Sequence, residues 1–153
     1  MNDRFKFRVW SNKNNIYIVD SHYPIGSDHS IVIRQDGKAY NLGLGDYEDY
    51  SNMHSWAVME EFTDCIIEQC TGLKDKNGNL IYEGDVVQFT HNRGYFTNKG
   101  DIRVIEFSAF RFCGFGWRSH PENNVEFALT ESAAKKCVVI GNIHEQAEQK
   151  DVK

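Results

Sequence analysis

A mainly β protein, made of many short strands that close into a small barrel or roll, is what this sequence predicts. Strict apolar/polar alternation, the period of a half-buried strand, begins within the first ten residues. Turn signals then recur at roughly 8 to 12 residue intervals, the rhythm of a small sandwich or barrel. The aromatic content of 13% suits pleated surfaces, where flat rings pack against cross-strand neighbours. No stretch has the strand, long helix, strand order of a parallel α/β sheet.

Along the chain, Phe5, Phe7 and Val9 alternate with Arg4, Lys6 and Arg8, which predicts an opening strand. The run Ser11-Asn12-Lys13-Asn14-Asn15 is turn chemistry, because Asn tolerates left-handed dihedrals. Ile16 to Val19 then resumes, giving a hairpin. A second hairpin is predicted from Ile31–Arg34 and Lys38–Leu42 about Asp36-Gly37, a dipeptide suited to a tight type I′ turn. Residues 43–55 are rich in Gly, Asp, Tyr and Ser, and a soft module boundary falls there. From 54 to 62 the pattern fits both periods, and a short helix is marginally favoured over a strand. These residues close an N-terminal hairpin region, 1–62.

The second region, 63–146, opens with a strand over Cys65–Cys70 and turns at Asp75-Lys76-Asn77-Gly78. It continues through Leu80–Tyr82, bends at Glu83-Gly84-Asp85 and enters the strand Val86–Phe89. A polar loop follows over 91–100. Asp101 to Trp117 is one long β-rich run with a kink or bulge expected at Gly114 and Gly116. A helical turn is expected over Glu131–Lys136, a last strand over Cys137–Ile143, and a polar tail over 147–153.

The formal net charge of −5 opposes a broad electrostatic grip on nucleic acid, which needs Lys and Arg to neutralise phosphates. No stretch approaches the roughly 18 apolar residues of a membrane span, and the N-terminus has no apolar h-region. These features predict a cytoplasmic protein, without a membrane partner. Four cysteines then read as reduced thiols rather than a disulfide framework.

Four cysteines and six histidines raise the question of a metal. Cys65 and Cys70 lie on opposite faces of a predicted strand, roughly 17 Å apart, too far for one tetrahedral ion. His144-Glu145 lacks the second His of a helical zinc motif. No metal or other cofactor is therefore expected. The groups Glu83 with Asp85, and Asp46 with Glu48 and Asp49, read as solvated turn residues. Without a nucleophile elbow, phosphate loop or dinucleotide fingerprint, no catalytic residue is assigned. A hydrolase drawing on His91, His120, His144 or these carboxylates is the least favoured alternative.

Phe110-Arg111-Phe112-Cys113-Gly114-Phe115-Gly116-Trp117-Arg118 interleaves aromatics with Gly and Arg. A nucleic-acid strand would stack on Phe112, Phe115 and Trp117 while Arg103, Arg111 and Arg118 met its phosphates. The competing and favoured reading places those rings in a β core.

The run Cys70-Thr71-Gly72-Leu73-Lys74-Asp75-Lys76-Asn77-Gly78-Asn79-Leu80-Ile81-Tyr82-Glu83-Gly84-Asp85-Val86-Val87 closely resembles the signature of the YopX family of phage and prophage proteins. Phe5–Trp10 is similar to that family's opening strand, and Val139–Glu145 to its closing one. The resemblance implies a mainly β fold whose C-terminal half is similar to an SH3-type barrel, inside a bacterial host cell. It implies no established activity. The sequence thus points to a non-enzymatic protein-binding or adaptor module for a host or phage protein, with Tyr82, Glu83 and Asp85 as a possible contact. Self-association through sheet edges is a further expectation.

Overall fold

The turns read from the sequence set the strand ends. In this computed structural model, which describes residues 6–18, 30–44, 57–92, 97–109, 113–118 and 125–147, the chain is mainly β. The order is β1 (Phe7–Ser11), β2 (Ile16–Ile18), β3 (Ser30–Ile33), β4 (Ala39–Leu44), β5 (Ala57–Glu61), β6 (Cys65–Lys74) and β7 (Leu80–Tyr82). There follow β8 (Asp85–Phe89), β9 (Ile102–Val104), β10 (Glu106–Ser108), β11 (Gly114–Arg118), β12 (Glu126–Ala128), α1 (Glu131–Ala134), β13 (Cys137–Asn142) and α2 (Ile143–Ala147). Two compact units divide the chain: one is Arg8–Ile67, and the other contains Phe7 and the chain from Glu68 onward. The division falls inside β1 and β6.

In the Arg8–Ile67 unit, β1 and β2 form the expected antiparallel hairpin, with Trp10 opposite Tyr17. Asn15 takes the left-handed conformation, φ +53, for which its short polar side chain is suited. The Trp10 ring meets Tyr17 edge-on at 5.0 Å. The second hairpin pairs β3 with β4, Val32 opposite Tyr40, and its turn holds Gly37 at φ +77. Against the helix favoured from 54 onward, Ala57–Glu61 is a strand that pairs with β4, Leu42 opposite Met59. A tertiary partner settles what local periodicity left open; positions 54–56 and the loop carboxylates Asp46, Glu48 and Asp49 lie outside the described residues.

In the unit from Glu68 onward, the second half of β6 pairs with β7, its register shifting between Cys70 and Lys74 around Gly72 at φ +77. β8 lies between β13 and β9, and β11 between β10 and β12. The core comprises Ile81, Val87, Phe89, Ile105, Trp117, Leu129, Ala133, Ala134 and Cys137. α1 supplies two of these alanines; its N-cap Thr130 side chain accepts from the Ala133 N–H, satisfying one of the donors a helix start leaves open.

The long β-rich run expected from 101 to 117 is divided well ahead of the kink or bulge expected at Gly114 and Gly116. Its break is at Ile105, whose carbonyl accepts from Gly84 at 2.8 Å and whose N–H donates to Asp85 at 2.9 Å. The bond to Asp85 carries the β8–β9 register one step further, the bond from Gly84 then departs from it, and β10 belongs to a different sheet from β9. The closing segment also differs: after β13 the chain turns into α2 at Ile143 rather than running straight into a polar tail.

Candidate functional site

The signature-like run supplies two buried carboxylates, Asp75 and Asp85, and β6 just ahead of it a third, Glu68; their surroundings decide what chemistry is open to them. Asp75, 4% exposed, accepts the N–H groups of Asn77 at 2.8 Å and Asn79 at 2.9 Å on Oδ1. Its Oδ2 accepts the Val139 N–H at 3.1 Å, so one side chain fastens the β6–β7 turn to β13. Burial pushes this carboxyl's pKa up, but the bonds from Val139, Asn79 and Asn77 outweigh it and hold it below the ordinary value. Asp85, 1% exposed, accepts the Tyr82 N–H at 2.8 Å.

Glu68, on β6, is the third. Its Oε1 lies 2.9 Å from His144 Nε2, with both side chains buried. His144 is placed by the start of α2, where Asn142 Oδ1 accepts the His144 N–H at 2.8 Å and the Glu145 N–H at 3.1 Å. The Gly84 carbonyl accepts the Ile143 N–H at 2.9 Å. Gly84 has φ +79, and a Cβ there would overlap Glu68 Oε1. Glycine is required at this bend twice over, for its dihedral and for the close approach of Glu68. Sequence reading passed over this pair. His144 stands in a polar stretch, and nothing local marks its partner 76 positions earlier.

Of the proposed contact trio, Tyr82 and Glu83 are half-buried, and the Glu83 N–H donates to the Gln69 carbonyl at 3.0 Å. Asp85 is turned inward to the Tyr82 main chain. Asp75, Asp85, Glu68 and His144 are therefore engaged with the main chain and with one another.

The aromatic strand is arranged the other way. Trp117 is 1% exposed, with ring centroids 5.1 Å from Phe89 and 6.0 Å from Phe127. It is a core residue and presents no ring face on which a base can stack. Phe115 is half-buried and meets Phe107 edge-on at 5.5 Å; Phe107 itself is 49% exposed. Arg118 pairs with Glu106 at 3.2 Å, and the Ser108 hydroxyl donates to Glu126. Arg103 pairs with Asp101 at 3.0 Å. Arg111 and Phe112 lie outside the described residues, as does His120. The structure thus does not gather the predicted arginines and rings into one exposed platform.

His91 is exposed and its Nδ1 lies 2.8 Å from the Thr90 hydroxyl. Among the described residues no group of three or more His, Cys, Asp and Glu is placed to hold a metal ion. Cys65 and Cys70 both lie on β6, five positions apart. Burial pushes the Cys137 thiol up to about 12, with the Asp75 charge adding to the effect, so the thiolate that reacts or ligates is disfavoured. Among the described residues no helix is long and apolar enough to cross a membrane.

A family model described as YopX protein matches residues 6–149 of the chain. No curated protein gives a match. Among solved structures, the crystal structure of protein EF1440 from Enterococcus faecalis is similar, with a TM-score of 0.54 and 23% identity. The likeness covers 94% of this chain and 96% of that one. At that identity it is a likeness of fold.

Proposed function

The chain belongs to the YopX family, and on that premise we propose that it is a non-enzymatic protein-binding or adaptor module of a phage or prophage. It works in the host cytoplasm on a host or phage protein, and its C-terminal half is an SH3-type small barrel. The observation that carries this reading is the engagement of the reactive groups in and around the signature-like run. Glu68, Asp75, Asp85 and His144 are bonded to the main chain or to each other, as groups that hold a fold rather than turn over a substrate. Meanwhile apolar strand residues such as Ile16, Ile102, Phe107 and Ile140 are exposed, the kind of surface a partner covers.

Capture of the tagged full chain from host-cell lysate, with and without nuclease and at low and moderate salt, tests the reading. Recovery of one specific protein that survives nuclease is the expected result. Recovery of nucleic acid that is lost with salt contradicts it.

A further inference from the structure

The Arg8–Ile67 unit holds an open cleft of about 390 Å3, within the size range of ligand sites. Ile16 and Ile18 of β2 and Phe62 give it an apolar lining, and Lys13 and Glu61 line it too. The two charges are not equivalent. Glu61 is held by Lys38 at 2.7 Å, while Lys13 is exposed and has no ion pair among the described residues. The cleft therefore offers one uncompensated positive charge in a chain of net charge −5.

β2 also ends its sheet order, with β1 on one side and no strand on the other among the described residues. Such an edge accepts an added strand, whose alternate side chains enter neighbouring pockets. The pair Ile16 and Ile18, two positions apart on β2, faces the cleft at the spacing such a strand presents.

We propose that this cleft seats a short extended segment of a partner protein. The segment adds beside β2, packs an aliphatic side chain against Ile16, Ile18 and Phe62, and sets a carboxylate at Lys13. This inference rests on the protein-binding reading and names the partner's chemistry.

The probe is a labelled peptide of alternating threonine and isoleucine with one central aspartate, titrated into the full chain by fluorescence anisotropy. A matched peptide carries lysine in place of the aspartate. The aspartate peptide binds at least about fivefold tighter, Lys13→Glu inverts that preference, and Ile16→Thr weakens binding about tenfold. Amide shift changes in the wild-type protein centre on residues 13–18, a readout that needs no variant. Equal binding of the two peptides, no saturable binding, or shift changes elsewhere would overturn the proposal. A protein captured from lysate equally by wild type and Lys13→Glu removes the cleft while leaving the protein-binding reading in place; no captured protein at all removes the reading itself.

Discussion

Around the turns at residues 75–85, Asp75 and Asp85 point inward to main-chain N–H groups, Glu68 on the preceding strand meets His144, and the bends carry glycine at positive φ. In the β10–β11–β12 sheet the division is reversed: Trp117 is inside, while the ion pair of Arg118 and Glu106 is outside, each about half exposed. Both segments are rich in residues that invite a functional reading. The first uses its polar groups as fasteners between distant strands. The second uses its rings as core and its charges as a solvated face. A residue type that suits a chemistry therefore says little until its burial and partners are known.

Substitutions that interrupt each arrangement separate the two regions by size of effect. Trp117→Ala removes the largest fully buried side chain among the described residues and is expected to cost about 4 kcal/mol in urea unfolding. Gly84→Ala combines strained dihedrals with displacement of Glu68 from His144, at about 3 kcal/mol. Gly78→Ala is its control: φ is +89, but an added Cβ meets nothing within 4 Å, so only the dihedral cost of about 1 kcal/mol is expected.

Asp75→Asn sharpens the comparison through pH. The folded-state pKa of Asp75 is held below its ordinary 3.8, so its stabilisation is complete above the unfolded value and is lost as pH falls through the folded one. A loss of about 2 kcal/mol is expected at pH 7. The gap between variant and wild type should close as the pH is lowered through about 4 and below. A gap that widened in acid would contradict the depressed pKa.

On the outer face, Arg118→Ala breaks only an exposed pair and should change stability by about 0.5 kcal/mol or less. A loss as large as that for Trp117 would mean that the outer face carries weight assigned here to the core.

Local signals announced much of the fold. Both N-terminal hairpins were legible because Asn15 and Asp36-Gly37 fix the turn, and alternation fixes the strands on either side. The bends at Gly78 and Gly84 were legible for the same reason. Two misreadings share one cause. Ala57–Glu61 fits a helix and a strand equally, and β4 decides between them. The run through Ile105 keeps its β character, yet after the bond to Asp85 its backbone leaves the β8 register to accept from Gly84. In the candidate site, the glycines could be read but the partners of the carboxylates could not. Asp75 finds Val139 and Glu68 finds His144 across 64 and 76 positions, distances at which one sequence carries no periodic signal.

The inward pairing of Glu68 with His144, packed against Gly84 of the signature-like run, is the point at which the structural role of these buried groups is most exposed to test. A double-mutant cycle in urea, using Glu68→Gln, His144→Gln and the pair together, measures the coupling directly. A coupling of about 2 kcal/mol or more is predicted, with the double variant little worse than either single one. Additive losses with no coupling would contradict the account and return both side chains to the pool of groups available for chemistry.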